Sequence, residues 1–340
     1  MSGLNTRFDV SKVPEIVGHS GNELLQRCYN VLNHTKWPIY IVGPSGSGKS
    51  IIAMNIAKKY SLARGVPAYY VQLSPEQTKT SLILGLRLDG GSLVVKNGIV
   101  AECMEAGGVI VVDEATHTMQ EVLLMFNSIL DRTSVTAIGD KTVFANENFR
   151  ILFCANDSQY SGNTKLPQSF AQRLVCFYFD YPAAEDELKI VDKIIAEECA
   201  IPDMVPAEVK KYVVDMMREM RSKTYPLSVR NAAIAAVMCN LEFAGAGKSI
   251  DTVTVDDYFI KGNNVESIRR SIAERLGAKD VENVASLVSP ELESFVKFIS
   301  VIGVERFREI ILQSFMYYLD VDLGFYDLQL VKDKIQSATL

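Results

Sequence analysis

The sequence predicts an α/β fold in its first half: a three-layer sandwich around a parallel sheet, followed by an all-helical second half. Two observations carry this. Short, unbroken apolar runs alternate with helical stretches through about residue 180, and the strand signal then stops after Tyr181-Pro182. The runs are Pro38–Val42, Ala68–Leu73, Val109–Asp113, Arg150–Ala155 and Val175–Phe179. None alternates apolar with polar residues, which is the pattern of strands covered on both faces. Between them, Lys49–Ala63 and Thr118–Leu130 read as helices, the second with a stripe of Met119, Val122, Leu123, Phe126 and Ile129.

Beyond Pro182, Glu185–Glu198, Pro206–Arg221, Ser228–Phe243 and Val255–Ile260 read as helices, punctuated by Pro226, Gly245, Gly247 and Gly262. The aromatic-rich stretch Glu291–Leu319 is also helical in pattern. The expected division is an α/β domain over 1–182, a helical domain over 183–265 and a helical C-terminal extension over 266–340.

With 48% hydrophobic and 22% charged residues in a chain of 340, there is enough apolar material for sizeable cores. A net charge of −6 argues against binding nucleic acid by bulk charge. No run is long and apolar enough for a membrane span or a secretory leader, so the expected location is cytoplasmic. The six cysteines are scattered without a CxxC pair, and three lie in or beside apolar runs (Cys154, Cys176, Cys239), as buried reduced thiols do. The three histidines, His19, His34 and His117, do not have metal-ligand spacing.

The sharpest motif is Gly43-Pro44-Ser45-Gly46-Ser47-Gly48-Lys49-Ser50, which matches GxxxxGK[ST] at every fixed position. It follows one predicted strand and opens one predicted helix, as a P-loop must. Its glycines let successive N–H groups turn inward on phosphate oxygens, and the helix adds its positive end. Lys49 is suited to the β/γ-phosphates of a nucleotide such as ATP, the Ser50 hydroxyl to Mg²⁺, and Ile51 follows directly on the loop. A second cluster, Gly245-Ala246-Gly247-Lys248-Ser249, lacks the first glycine and the preceding strand, and reads as a loop between helices.

Val109–Asp113 ends in adjacent carboxylates, Asp113 and Glu114. A strand end delivers both to the sheet edge where the phosphate loop lies. Asp113 is placed to hold Mg²⁺ through its water shell, and Glu114 to polarise an attacking water. Asn156 ends the next run and offers an amide to the water and the γ-phosphate.

In this order, the phosphate loop, the Asp-Glu strand end and the strand-terminal Asn resemble an AAA+ ATPase, most closely the MoxR-type branch with its CbbQ/NorQ-like and gas-vesicle-N-like members. The same branch is suggested by Gly98-Ile99-Val100-Ala101 with Glu105-Ala106-Gly107-Gly108, by Asn148-Phe149-Arg150, by Gln172-Arg173-Leu174 and by Leu227-Ser228-Val229-Arg230. Two departures are Asp157 after Asn156, where the family usually has Pro, and Leu174 after Arg173, where it usually has Phe. The resemblance implies a homo-oligomeric ring, usually a hexamer, with active sites between subunits. It makes Arg173 the finger that reaches a neighbour's γ-phosphate, with Arg150 a less favoured alternative, and Arg230 a second sensor on a lid formed by 183–265. It also implies a protein substrate or adaptor, of which von Willebrand factor A-domain proteins are common examples.

Two hairpins fit the branch. Leu86–Val95 carries Asp89-Gly90-Gly91 between apolar runs, and Ser134–Phe144 carries Gly139-Asp140. In the resembling proteins the first points toward the central pore, where Leu88 and Leu93 become apolar grips on a polypeptide. The expected function is therefore ATP hydrolysis by a ring that remodels or activates a protein partner. The alternatives are a nucleic-acid motor or loader of a mobile element or virus, which the acidic charge balance and the weakly basic hairpin rank lower, and a nucleotide-switched assembly scaffold.

Overall fold

A computed structural model of the protein describes residues 6–89, 92–138, 141–157, 166–221, 227–247 and 290–322. The expected helix Val255–Ile260, the breaks at Pro226 and Gly262, the turns at Gly90-Gly91 and Gly139-Asp140, and the 265/266 boundary lie outside the described residues, as do the side chains of Leu88 and Leu93. Contacts divide the chain into two compact units, Met1–Pro182 and Ala183–Leu340.

In chain order the first unit contains β1 (Thr6–Arg7), α1 (His19–His34), β2 (Ile39–Gly43), α2 (Lys49–Arg64), β3 (Ala68–Gln72), α3 (Lys79–Ile83), β4 (Leu84–Asp89), β5 (Ser92–Asn97), α4 (Ile99–Ala106), β6 (Val109–Asp113), α5 (Gln120–Leu130), β7 (Val135–Ile138), β8 (Lys141–Phe144), β9 (Arg150–Asn156), α6 (Gln168–Ala171) and β10 (Val175–Tyr178). The main sheet runs β1-β3-β6-β9-β2-β10. It is parallel except for β1, a short antiparallel edge on β3 that the apolar runs did not announce.

Each central strand feeds two cores, because successive side chains leave opposite faces of a strand. Ile39 and Ile41, Val109 and Val111, and Leu152 and Cys154 pack on one face with Leu24, Cys28 and Leu32 of α1 and Ile52, Ile56 and Tyr60 of α2. Tyr40, Ile110 and Val112, and Ile151, Phe153 and Ala155 pack on the other with Val100 and Met104 of α4 and Val122, Leu123, Phe126 and Ile129 of α5. This is the three-layer α/β sandwich expected of the P-loop NTPase fold. β4 pairs with β5 from Leu84↔Asn97 to Asp89↔Ser92, and β7 with β8 from Val135↔Phe144 to Ile138↔Lys141, as two separate hairpins.

Three details differ from the sequence expectation. α5 begins at Gln120, which leaves Met119 as its N-cap residue and 60% exposed rather than part of the buried stripe. β10 is an edge strand, so its outer side faces solvent: Tyr178 is 60% exposed and Cys176 is an exposed thiol, not a buried one. A continuous apolar run cannot reveal which strand stands at an edge. Arg150 is buried, its Nε donating to the Leu32 carbonyl at 2.7 Å and its Nη1 to the carbonyls of Glu147 and Phe149, and that burial disfavours it as an alternative finger.

The second unit contains α7 (Ala184–Glu198), α8 (Ala207–Met220), α9 (Val229–Gly245), α10 (Pro290–Ile302) and α11 (Val304–Asp322). Val191, Val213, Met217, Ala232, Ala236, Phe243, Phe298, Phe307 and Ile311 share one core. Phe243 and Phe298 stack at 4.8 Å between centroids, so the stretch after residue 289 packs with the helices that precede it. Glu187, fully buried, accepts from Arg218 at 2.9 Å and from Arg221 at 2.8 and 3.1 Å, which meets the charge that burial would otherwise leave uncompensated. Among the described residues no helix is long and apolar enough to cross a membrane.

Phe153 joins the site-bearing strand to its helices. Its ring meets Phe126 edge-on at 5.2 Å and Phe170 at 5.1 Å, and it is fully buried. Phe153→Ala is expected to cost about 3–5 kcal/mol in denaturant unfolding. A loss below about 1 kcal/mol contradicts this packing role.

Candidate functional site

The site gathers at the carboxyl ends of β2, β6 and β9. The loop after β2 starts at Gly43, where the backbone passes so close to β10's continuation that a Cβ would lie 1.9 Å from the Phe179 carbonyl oxygen. Only glycine fits there. Gly46 and Gly48 both take left-handed backbone, with φ of 72° and 98°, the conformation that lets a glycine-rich loop curl tightly, and the Ser47 N–H between them donates to the Pro44 carbonyl at 3.4 Å. Gly48 then caps α2, whose first turn holds Lys49, Ser50 and Ile51. Pro44 is buried, Ser45 half-buried with its carbonyl accepting from the Tyr181 hydroxyl at 2.9 Å, and Ile51 is 40% exposed. The Ser47 hydroxyl is buried with no hydrogen-bond partner among the described residues.

Lys49 is only 6% exposed. Its ammonium donates to the Pro44 carbonyl at 2.6 Å and to Asn156 Oδ1 at 3.1 Å. Burial pushes its pKa down, opposed by nearby acidic groups including Glu114 and Asp113. An ammonium has three donors, so one is left for an incoming acceptor. A tightly curled glycine loop at the start of a helix, an orphaned hydroxyl and a buried cation with a donor to spare fit an anion of phosphate chemistry.

Asn156 connects this cation to the acidic pair. The β2–β9 register sets Asn156 opposite Gly43. Its Nδ2 donates to Glu114 Oε2 at 3.3 Å while its Oδ1 accepts from Lys49. Glu114 has φ of 53°, a left-handed backbone rare for a residue with a side chain and costing about 1–3 kcal/mol. The turn is held by His117 N–H donating to the Glu114 carbonyl at 2.8 Å and by Ala115 N–H donating to the Cys154 carbonyl at 2.8 Å. Burial first, and the neighbouring Asp113 carboxylate second, raise the Glu114 pKa above the ordinary glutamate value, against the opposing pull of His117 and Lys49. His117 Nδ1 lies 3.6 Å from Glu114 Oε2.

Asp113 is 7% exposed and accepts from the Tyr70 hydroxyl at 2.8 Å and from Glu114 N–H at 2.9 Å. The β3–β6 pairing places Tyr70 opposite Val111, two residues before Asp113. Ser50 and Asp113 provide a hydroxyl and a carboxylate, the hard oxygen donors that suit Mg²⁺. Among the described residues no three His, Cys, Asp or Glu side chains cluster.

The two remaining arginines belong to different units. Arg173, after α6, is engaged by Asp131 at the C-terminus of α5: Nε to Oδ1 at 3.0 Å and Nη2 to Oδ2 at 3.3 Å. Arg230 sits exposed in the first turn of α9, where the helix dipole disfavours a cation, so helix stability does not account for it.

Sequence reading missed Tyr70, His117, Tyr181 and Asp131. Tyr70 has a signal in hindsight, since the one-in-two strand period aligned with the Asp113 strand puts both on one face. The others depend on loop paths that carry no period.

Comparison with known proteins follows the same lines. The profile of the AAA domain family, dynein-related subfamily, matches residues 38–174. Midasin from Giardia intestinalis is 31% identical over 192 residues, which are 54% of this chain and 4% of midasin, so the chain spans a small fraction of that relative. The gas vesicle ATPase GvpN of Haloferax mediterranei is 22% identical over 259 residues, 70% of each chain. In structure, NtrX from Brucella abortus superposes with a TM-score of 0.51 at 18% identity, over 97% of this chain and 70% of NtrX, a likeness of fold. NtrX has also been crystallised in complex with ADP.

The geometry around Glu114 gives a stability prediction. Its folded pKa is raised, so its contribution is full below the ordinary glutamate pKa and is lost as pH rises through the raised value. Glu114→Gln keeps the shape and cannot ionise. The variant is expected to melt above the wild type near pH 7, with the gap closing toward about pH 4. Equal melting temperatures at both pH values contradict the raised pKa.

Proposed function

We propose that this chain, whose residues 38–174 match the AAA domain family, is an AAA+ ATPase of the MoxR-type branch that hydrolyses ATP within a homo-oligomeric ring, a hexamer, and uses the cycle to remodel or activate a protein partner. The observation that carries this reading is the unbroken connection from Lys49 through Asn156 to Glu114, which joins a phosphate grip to a carboxylate of raised pKa.

In this reading the N–H groups after Pro44 and the start of α2 cradle the triphosphate, with Gly43 and Pro44 shaping the entry to the loop and Ile51 beside it. Lys49 turns its remaining donor to the β/γ-phosphates. Ser50 and Asp113 hold Mg²⁺, which when bound neutralises phosphate charge. Tyr70 fixes one Asp113 oxygen so that the carboxylate keeps its orientation. Glu114 accepts a proton from water as the water oxygen bonds to the γ-phosphorus and the bond to the β–γ bridging oxygen breaks, leaving ADP with the electron pair. Asn156 holds Glu114 by one end of its amide and senses the phosphate through Lys49 at the other. Arg173 of one subunit completes the neighbour's site by spreading positive charge over the transferring phosphoryl group.

Residues 183–265 serve as the lid, with Arg230 reading nucleotide state, and 266–340 extend the helical unit. The hairpins β4–β5 and β7–β8 face the substrate. An adaptor of the von Willebrand factor A-domain class fits the branch, and the acidic balance of the chain favours a protein over nucleic acid. The proposed setting is the cytoplasm.

The test is direct. Glu114→Gln is expected to bind ATP at near wild-type affinity and hydrolyse it about 10²–10⁴-fold more slowly. The ATP-locked form is also the bait for the partner, identified by mass spectrometry after pull-down. Unchanged turnover removes Glu114 from the reaction.

A further inference from the structure

The way Arg173 is held carries more than its identity as a finger. Asp131 closes α5 on a fixed backbone: its N–H donates to the Asn127 carbonyl at 3.1 Å, and its own carbonyl accepts from Ser134 N–H at 2.9 Å and the Ser134 hydroxyl at 3.0 Å. Asn127 Nδ2 donates to the Ser169 hydroxyl at 3.1 Å, tying α5 to α6. On this platform the Asp131 carboxylate takes Arg173 Nε and Nη2 together, while Nη1 donates to the Ser169 carbonyl. A guanidinium has five N–H donors. Three are taken, and the two that remain are one on each terminal nitrogen, the outward fork that matches two oxygens of a phosphate.

We propose that Asp131 is the positioning residue for the Arg173 finger: its carboxylate fixes the inner edge of the guanidinium so that the outer edge is presented, ready-made, to the nucleotide of the adjoining subunit. The inference rests on Arg173 acting in trans, and deepens it. The Arg173 side chain is 30% exposed, enough for one edge to be reached while the other is bound. Without the carboxylate, a long and rotamer-rich side chain has to be ordered at each encounter, and a small misplacement costs rate steeply.

The experiment compares Asp131→Asn, Asp131→Ala, Arg173→Ala and the Asp131→Ala/Arg173→Ala double variant in the full-length protein, reading kcat, KM for ATP, and particle size by light scattering. Asp131→Asn is expected to lower kcat about 10- to 100-fold with KM and assembly unchanged. The double variant is expected to lose nothing beyond Arg173→Ala. Mixing Asp131→Asn subunits with Lys49→Ala subunits is expected to restore turnover, because the second kind supplies a correctly held finger to the first kind's intact pocket. A merely structural defect in the Asp131→Asn subunit is not rescued this way. Wild-type kcat in both Asp131 variants while Arg173→Ala is impaired overturns the positioning role alone, as does a rise in kcat, which makes Asp131 a restraint. Wild-type kcat in Arg173→Ala overturns the finger itself, and the positioning role with it.

Discussion

A buried ammonium is the constraint on which the rest of the site turns. Lys49 is almost entirely out of water, yet its two acceptors are a neutral carbonyl and a neutral amide. A charge in that position is costly unless opposite charge lies close by. Part of the compensation comes from Asp113 and Glu114 across the sheet edge, and the rest is an opening for a polyanion. The same arrangement explains Asn156. An amide accepts from a cation at one atom and donates to a carboxylate at another, and it does both here without adding charge to a crowded site.

Strand order does the placing. β9 lies between β6 and β2, so the residue ending β9 stands between the acidic pair and the phosphate loop. Behind that edge, Phe153 locks β9 to α5 and α6, the two segments that hold Asp131 and lead to Arg173. The strained backbone at Glu114 is offset by this well-packed sheet. Packing and chemistry are thus carried by the same few elements in the first unit.

Much of this was legible in the sequence, for physical reasons. Strands covered on both faces leave continuous apolar runs, and all five principal strands of the main sheet left one. The phosphate loop is legible because its glycines and lysine are required by close approach and by charge, not by packing preference. What escaped was information that only the third dimension contains. The apolar run at β10 does not say that the strand is an edge, so Cys176 read as buried. Met119 has the right spacing for the α5 stripe, but the helix begins after it. Arg150 and Arg173 each precede or follow a strand and look alike as candidate fingers, and only their burial and acceptors separate them. Each gives three hydrogen bonds, but Arg150 is buried and gives them all to backbone carbonyls, whereas Arg173 is partly exposed and held by the Asp131 carboxylate and the Ser169 carbonyl. Asp131 and Tyr70 carry no motif at all.

Among the described residues Arg173 bonds to Asp131 and Ser169 rather than to the Lys49–Asn156–Glu114 cluster. Its proposed role as a finger places catalysis at an interface between copies. The most direct measurement is ATP turnover per subunit at saturating ATP as the protein is diluted through its assembly threshold, with particle size followed in parallel. Turnover per subunit is expected to collapse together with the assembled particle. Turnover that stays constant down to isolated monomers would contradict it.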